Sequence, residues 1–347
     1  MKFLHTGDIH FGCCPEAGTP YAAERREAVR NVLMKIVDLA NVEDVDLLLI
    51  AGDLFHERPT KSELKEVAYY LSKLRRAKVV MIAGNHDYLS EDSPYKSYNF
   101  GKHVIMLNSQ KMSRVYLKEI DTEVYGFSYY AQMIKEPLYD NISVPQDGRT
   151  KILLAHGGDA DHIPISRTAL ADSGFDYIAL GHIHAPEMVK GSNIAFCGSP
   201  EPIDRTETGS HGCILGNIDG GRLTLMWHPL AQLQYRIMDI TPGSDATMAA
   251  IEDLVKSAIA THPGDLFTVN IVGERPADLE IDTGIISRID RVCHVSDTSV
   301  PEYDLDELAR NHKNDLISLY INELNTPDAT KQMKDALYAG LKALLKD

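Results

Sequence analysis

The chain lacks any apolar run long enough to cross a membrane. Its uninterrupted apolar stretches, such as Leu47 to Ala51, are far shorter than the roughly 20 residues that a membrane-spanning helix needs. Met1 and Lys2 lead directly into a predicted strand rather than a targeting segment. We therefore expect a cytoplasmic protein that does not enter membranes.

Cysteine is scarce and follows neither a disulfide nor a zinc pattern. The five cysteines are Cys13, Cys14, Cys197, Cys213 and Cys293, an odd number without a C-x-x-C motif. Such spacing favours free thiols in a reducing compartment. Cys13 and Cys14 closely follow a candidate metal ligand, so a metal role is conceivable there, but free thiols are the favoured interpretation.

Positive charge is also in short supply, since 35 Lys and Arg face 50 Asp and Glu and the formal net charge is −15. A free-standing nucleic-acid-binding domain usually has a net basic surface, so the balance argues against one that works alone. Basic residues do cluster between residues 73 and 78. We assign that cluster no function, because charged and solvated helix ends are common before a strand.

The sequence does contain a regular alternation of short apolar runs and helical patterns up to about residue 228. The apolar runs lie at residues 3–6, 46–51, 78–83, 151–155 and 176–180. Between them, residues 22–41 and 60–76 carry apolar side chains at helical spacing. This alternation is typical of layered α/β proteins and predicts a β-sandwich flanked by helices.

Two shorter segments follow this region. Residues 229–303 show the pattern of a small α+β unit, and residues 304–347 are helical throughout. Asn325-Thr326-Pro327 separates two predicted helices, with Thr326 or Asp328 as candidate caps of the second. The helical pair either packs on its own domain or docks a partner, and the sequence leaves both interpretations open.

Each of five apolar runs is followed by side chains that bind metals. The runs read FLHT-GDIH, LLLIA-GDLFH, VVMIA-GNHD, ILLA-HGG and YIAL-GHIH, with glycines that let the backbone turn sharply. Because ligands bind beyond the carboxyl ends of strands in layered α/β sheets, we expect these side chains to converge at one edge. The candidate ligands are Asp8, His10, Asp53, Asn85, His156, His182 and His184.

These residue types suit a pair of metal ions. Asp8 and His10 are two residues apart, which on an extended segment directs both to one side, and His182 and His184 repeat the spacing. The Asp53 carboxylate can bridge two cations, and the mixed nitrogen and oxygen donors suit Mn, Fe or Zn. Two ions about 3.5 to 4 Å apart would clamp a phosphate and activate water. The sequence therefore predicts a two-metal phosphoesterase.

The order D-x-H, G-D, G-N-H-[DE], H and G-H-x-H resembles that of the calcineurin-like metallophosphoesterases and covers the first domain. The resemblance implies an α/β fold, a four-layer α-β-β-α sandwich. It also implies a first ion site of Asp8, His10, Asp53 and His184, and a second ion site of Asp53, Asn85, His156 and His182. His86 would be a catalytic proton donor that binds no metal, and Asp87 could orient its ring.

Within that superfamily the sequence is similar to the SbcD/Mre-type DNA repair nucleases. The features are FLHTGDIHFG, the longer GDLFH, the turn at residues 198–200 and the α+β segment that follows. The resemblance implies a nuclease domain at 1–228, a cap at 229–303 and a C-terminal helical hairpin at 304–347. It further implies Mn²⁺-dependent cleavage of DNA, a homodimer, and an SbcC-type ATPase docked on the C-terminal helices. His56 would lie near the substrate phosphate.

Two other functions remain open from the sequence. The same metal site could hydrolyse small phosphodiesters or nucleotides, and the acidic balance favours this modestly. A non-catalytic scaffold that keeps the fold would show eroded ligands, and here no ligand is missing.

Overall fold

The apolar runs of the first 230 residues form the strands of two six-stranded sheets. The structure is a computed structural model that describes residues 1–345. In chain order its elements here are β1 (Lys2–Thr6), α1 (Ala22–Val42), β2 (Leu47–Ala51), α2 (Lys61–Leu71), β3 (Lys78–Ile82), β4 (Val104–Met106), β5 (Ser113–Leu117), β6 (Thr122–Gly126), β7 (Thr150–His156), α3 (Arg167–Ala171), β8 (Tyr177–Gly181), β9 (Glu187–Met188), β10 (Ile194–Phe196), β11 (Gly212–Asp219) and β12 (Arg222–Pro229). Single 3₁₀ turns at Pro94–Ser97 and Lys118–Ile120 lie in the connections.

Parallel strands dominate the middle of both sheets. The first sheet has the order β12-β11-β1-β2-β3-β4, in which β1 to β4 run parallel and β11 and β12 are antiparallel. The second has the order β5-β6-β7-β8-β10-β9, in which β6, β7, β8 and β10 run parallel. The carboxyl ends of the parallel strands in each sheet therefore share one edge.

The two sheets pack face to face and are covered on their outer faces. Leu49 of β2 lies in the apolar cluster between the sheets with Ile152 of β7, whereas the adjacent Leu48 packs on the other side against α1 and α2. Because both faces are buried, β2 is apolar along its whole length. The predicted α-β-β-α sandwich is confirmed. Its fourth layer is thin, since the five-residue α3 and surrounding loops cover the second sheet.

A buried ion pair fixes the turn at residues 198–202 to α1. Arg25 is fully buried and donates from Nη1 to the carboxylate of Glu201 at 2.6 Å and from Nη2 to the carbonyl of Pro202 at 2.5 Å. The second oxygen of Glu201 accepts from the backbone N–H of Gln232 at 2.8 Å. These contacts hold the segment that carries Ser199, whose hydroxyl donates to the carboxylate of Glu207.

A second compact unit begins at Arg236, close to the boundary that the sequence predicts at residue 228. Its elements are β13 (Tyr235–Ile240), α4 (Met248–Thr261), β14 (Leu266–Ile271), β15 (Glu274–Pro276), α5 (Thr283–Ile286), β16 (Val292–Asp297) and β17 (Val300–Glu302). Strands β13, β14 and β16 form one sheet and β15 and β17 another. This part has its own apolar core, to which Val255 of α4 and Val269 of β14 contribute.

The described part of the C-terminal segment has three helices where the sequence predicts two. They are α6 (Leu305–Asn311), α7 (Leu316–Leu324) and α8 (Lys331–Leu344). The extra break arises because Asn314 has a left-handed backbone (φ 70°) and the Asp315 side chain caps α7. The predicted break at 325–327 is present, but Thr330 caps α8 rather than Thr326 or Asp328. The predicted segment also includes residues 346 and 347, which lie outside the described residues.

None of the helices among residues 1–345 has the length and apolar character needed to span a bilayer. All five cysteines are free thiols, as predicted.

Candidate metal centre

Four of the predicted ligands occupy strained backbone conformations just beyond their strands. Asp8, His10, Asp53 and His182 have φ values of 49°, 49°, 48° and 91°. Side chains other than glycine rarely adopt this region, and such strain is typical of functional sites. The pair Asp8 and His10 therefore does not lie on an extended segment, as the two-residue spacing predicts. Left-handed turns direct these ligands into the site instead.

The structure brings all seven predicted ligands together at the shared edge of the two sheets. Asp8, His10, Asp53 and Asn85 follow strands of the first sheet, and His156, His182 and His184 end or follow strands of the second. Donor atoms of Asp8, His10 and His184 lie within 4.8 Å of one another, as do those of Asp8, Asp53 and His156. The Oδ1 atom of Asn85 lies 2.8 Å from Nε2 of His156 and 3.0 Å from Nδ1 of His182.

The glycines that precede the ligands matter mainly because a side chain at their positions would clash with the site. A backbone conformation special to glycine is the smaller part of their role. Gly52 has a positive φ of 91°, as the sharp-turn prediction expects, but Gly84 and Gly181 do not. A Cβ atom at Gly84 would overlap the Asp53 carboxylate, and one at Gly181 would overlap the carbonyl of Ala51. Any larger residue at these positions would therefore displace a ligand or its support.

In the first ion site, ring nitrogens of two histidines face one another at short range. Nδ1 of His184 donates to the carboxylate of Glu207 at 2.7 Å, so Nε2 is the unprotonated nitrogen of the neutral ring. That Nε2 lies 3.1 Å from Nε2 of His10, and the Asp53 carboxylate lies 3.9 Å from the same His10 nitrogen. A cation placed between these atoms would be held by both imidazoles and by the carboxylate.

The second ion site has the same property. Nδ1 of His156 donates to the carbonyl of Ala51 at 2.8 Å, which leaves Nε2 as the acceptor that faces Asn85 and, at 3.4 Å, Asp53. Nε2 of His182 donates to the carboxylate of Asp159 at 2.7 Å, so Nδ1 is the nitrogen that faces Asn85. Mixed imidazole, carboxylate and amide donors with converging lone pairs fit a divalent transition metal.

Without a metal, protons take the places of the cations. Burial lowers the pKa of His184, but the hydrogen bond to Glu207 and the charge of Asp8 outweigh burial and raise it to about 9. Burial also lowers the pKa of His156, and Asp53 outweighs it and raises the value to about 9. The pKa of His182 is lowered to about 4, mainly by burial. Each ion site thus holds one imidazolium at neutral pH, in His184 and His156.

The buried carboxylates differ in their response. Burial raises the pKa of Asp8 to about 6. Burial acts in the same direction on Asp53, but the neighbouring imidazoles, His156 foremost, outweigh it and bring its pKa well below the ordinary value. Asp53 is therefore an anion at any pH near neutrality, which suits the bridging role.

His86 and His56 lie beside the predicted ligands at the mouth of the site. The ring of His86 stands perpendicular to that of His10 at 4.7 Å between centres and stacks on that of His56 at 5.4 Å. Nδ1 of His56 lies 3.3 Å from Nδ1 of His10. A cleft of about 470 Å³ opens here and is lined by His56, His86, Arg58, Tyr88 and Gln132 among others.

The predicted role of Asp87 needs a correction. Nδ1 of His86 donates to the backbone carbonyl of His56 at 2.9 Å, and this bond orients the ring. The Asp87 carboxylate instead accepts from the backbone N–H groups of Gly84 at 2.7 Å and Phe55 at 3.2 Å. Buried, it fixes the two loops that carry the ligands. Burial raises its pKa to about 7.

The sequence interpretation missed Asp159 and Glu207, two carboxylates outside the predicted ligand set that contact candidate ligand histidines. Asp159 follows His156 by three residues in HGGD, which is a weak signal, and Glu207 lies in a loop that the apolar runs do not mark. Cys13 and Cys14, whose metal role the sequence left open, belong to none of the candidate ligand groups in residues 1–345.

This geometry agrees with a comparison to protein families. Residues 1–186, more than half of the chain, match the model of the calcineurin-like phosphoesterase family. The chain belongs to this family of metal-dependent hydrolases of phosphoester bonds, as the motifs predict.

The particular relatives include named nucleases at low identity. An uncharacterized metallophosphoesterase, YhaO of Bacillus subtilis, is 26% identical over 243 residues, which is 65% of this chain and 59% of YhaO. The DNA double-strand break repair protein Mre11 of Methanopyrus kandleri is 26% identical over 253 residues, covering 64% and 55%. The SbcD component of the nuclease SbcCD from Staphylococcus epidermidis is 27% identical over 239 residues, covering 57% and 61%. The chain spans a little over half the length of these relatives. The predicted resemblance to the SbcD/Mre-type proteins is confirmed at this low identity.

Proposed function

We propose that the chain hydrolyses DNA phosphodiester bonds with two divalent metal ions and acts as an exonuclease or endonuclease in DNA repair. The observation that carries the proposal is the convergence of seven side chains from two sheets, with their nitrogen and oxygen atoms facing one another at short distances. The names of two relatives, the repair protein Mre11 and the nuclease SbcCD, support DNA as the substrate class.

In this proposal Asp53 bridges the first ion site and the second ion site as defined above. Mn²⁺ is the proposed metal, with Fe or Zn compatible with the same donors. When bound, the two ions would supply a polarised phosphate and an activated water for in-line displacement. Asp53 keeps its charge because the surrounding imidazoles lower its pKa.

Two histidines of the chain are placed to donate protons or hydrogen bonds to the substrate. Because Nδ1 of His86 is committed to the His56 carbonyl, Nε2 is the nitrogen that can protonate the leaving oxygen. His10 would hold the first ion through Nε2, and its Nδ1–H would then be free to donate to Nδ1 of His56, 3.3 Å away. Nε2–H of His56 is then the free donor, suited to a phosphate oxygen. Asp87 keeps the two loops in register through the amides of Gly84 and Phe55.

The net charge of −15 must be reconciled with DNA binding. Two bound divalent cations would add positive charge where the scissile phosphate lies. A second copy of the chain and an SbcC-type ATPase would supply further DNA-binding surface. In support of docking on the C-terminal helices, Leu316 and Leu319 of α7 are each 64% exposed. Apolar side chains so exposed are typical of interaction surfaces when they lie together.

A hydrolase of small phosphodiesters or nucleotides is the second candidate. The acidic balance favours it, and Arg58, the basic residue in the cleft beside His56, is paired with Asp92 at 2.8 Å. The third alternative, a non-catalytic scaffold, has less support because none of the seven candidate ligands is replaced by a side chain unable to bind a metal.

One comparison separates these functions. Purified protein with Mn²⁺ is assayed on linear duplex DNA, single-stranded DNA and bis(p-nitrophenyl) phosphate, alongside His86→Ala and the control His228→Ala on β12. Cleavage of DNA that depends on Mn²⁺ and on His86, but not on His228, supports the nuclease. Turnover of the small ester alone would favour the second candidate. No metal-dependent turnover of any substrate would leave only the scaffold.

A further inference from the structure

A buried carboxylate outside the family motifs holds a histidine of the first ion site. Oε1 of Glu207 accepts from Nδ1 of His184 at 2.7 Å, and the Glu207 side chain is only 13% exposed. A carboxylate near neutral pH only accepts hydrogen bonds, so this contact places the ring proton of His184 on Nδ1. Nε2 is thereby kept free on the side of His10.

Glu207 is itself held in place through its other oxygen. Oε2 accepts from the hydroxyl of Ser199 at 2.9 Å and from the backbone N–H of Ile203 at 3.1 Å. Ser199 is fully buried and in turn lies 2.9 Å from Nδ1 of His211. One oxygen of Glu207 therefore belongs to the scaffold and the other to the metal-site histidine.

Asp159 repeats this arrangement at the second ion site. Its Oδ2 accepts from Nε2 of His182 at 2.7 Å. Its Oδ1 accepts from the backbone N–H groups of Asp161 at 2.8 Å and His162 at 2.9 Å, and from the His162 ring at 2.9 Å. This carboxylate is 46% exposed, so water competes with its contact more than at Glu207.

The two contacts give opposite tautomers to the histidines of one GHIH motif. In the neutral form that binds a metal, His184 carries its proton on Nδ1 and presents Nε2, whereas His182 carries its proton on Nε2 and presents Nδ1. The nitrogen of His184 that is presented faces His10, and that of His182 faces Asn85. Each carboxylate thus selects which nitrogen of its histidine can bind a metal.

We infer that Glu207 and Asp159 are positioning residues of the dinuclear centre, Glu207 for the first ion site through His184 and Asp159 for the second through His182. This inference rests on the proposed two-metal function. A carboxylate behind a metal-binding histidine stops the ring from rotating and makes it a stronger ligand, and loss of such a partner typically costs about 10 to 100-fold in metal affinity.

The test measures Mn²⁺ binding rather than activity alone. Metal-free wild type, Glu207→Gln and Asp159→Asn are titrated with Mn²⁺ by calorimetry. Asp44→Asn and Asp161→Asn are the controls, because the Asp44 carboxylate pairs with Arg76 and the Asp161 carboxylate pairs with Lys135 rather than with a candidate ligand histidine. Glu207→Gln is expected to weaken one of two binding events by about 10 to 100-fold. Asp159→Asn should weaken the other by less, about tenfold or under, since it is more exposed.

The tautomers of His184 and His182 give a second measurement. A purely structural role of Glu207 or Asp159 would leave these tautomers unchanged. Nitrogen NMR of the histidine rings in zinc-loaded protein is expected to show His184 protonated on Nδ1 and His182 on Nε2, with each signal changed in its own variant. Unchanged Mn²⁺ affinity in both variants would overturn the inference, as would equal losses in the two controls. Wild type that binds two ions but cleaves no phosphodiester would contradict the proposed function, while selective affinity losses in the two variants would still support the positioning roles.

Discussion

The backbone carbonyl of His56 lies 2.9 Å from Nδ1 of His86 and accepts its hydrogen bond. His56 therefore has two roles. Its ring faces the site, and its backbone carbonyl orients His86, the proposed proton donor. The backbone N–H of His86 donates to the Asp53 carboxylate at 2.9 Å, so the acid is also tied to the bridging ligand. A backbone carbonyl cannot titrate, so this hydrogen bond does not depend on the charge of a partner side chain.

His86→Ala should remove the proton donor without removing a metal ligand. We expect DNA cleavage to fall by about 10² to 10⁴-fold, with Mn²⁺ binding by calorimetry unchanged. The loss on bis(p-nitrophenyl) phosphate should be smaller, because p-nitrophenolate leaves without needing a proton. Equal losses on both substrates would contradict the acid role of His86.

Asp53→Asn should affect both ion sites at once. The amide that replaces the bridging carboxylate cannot hold two cations with its single oxygen, so we expect bound metal, measured by elemental analysis after dialysis, to fall from two ions to one or fewer. Asp92→Asn, on an exposed partner of Arg58, is the control and should retain two ions. Retention of two full equivalents by Asp53→Asn would show that Asp53 does not bridge.

Metal binding should release protons, because His156 and His184 have pKa values raised to about 9 in the metal-free protein. Near pH 7.5 both rings are charged, and two incoming cations should displace about two protons. Calorimetry in buffers of different ionisation heats measures this number. Apparent affinity should rise with pH up to about 9 and then level off.

The same shifts predict the pH dependence of stability without metal. Both folded-state pKa values lie above the ordinary 6.5, so the stabilisation is fully present below pH 6.5 and is lost as pH rises through about 9. Thermal unfolding of metal-free protein should therefore occur at lower temperature at pH 9 than at pH 6.5. A higher unfolding temperature at pH 9 would contradict these directions.

Gly84→Ala should damage the centre although glycine binds nothing. The added Cβ would overlap the Asp53 carboxylate and lie 2.7 Å from its backbone nitrogen, which costs about 1–3 kcal/mol of stability in a close-packed site. Gly264→Ala, where a Cβ meets nothing within 4 Å, is the control. Thermal unfolding and Mn²⁺ titration of both variants check the prediction.

The candidate ligands could be predicted from the sequence because the hydrophobic pattern shows where each buried strand ends, and the ligands lie just beyond those ends. Asp53 and Asn85 directly follow such runs, and parallel order brings their ends to one edge. Glu207 could not be found in this way, since it reaches His184 from an irregular loop 23 residues later. The orientation of His86 was missed for another reason: its acceptor is a backbone carbonyl, which every residue possesses.

The thin outer layer and the additional C-terminal break have similar causes. Loops rather than a long helix cover the second sheet, and loop packing carries no periodic signal. The break before α7 depends on one left-handed residue, Asn314, in a stretch whose apolar stripe continues on both sides. Side-chain pattern alone therefore favours a single helix there.

The candidate ligands are divided between two sheets, with Asp53 from one facing His156 from the other at 3.4 Å. Bound cations would therefore join the open edges of the sandwich as well as serve catalysis. A cation that binds only the folded chain lowers the population of opened molecules that proteases can cut. The supply of divalent metal in a cell would then set how long each molecule survives as well as how many molecules are loaded for catalysis.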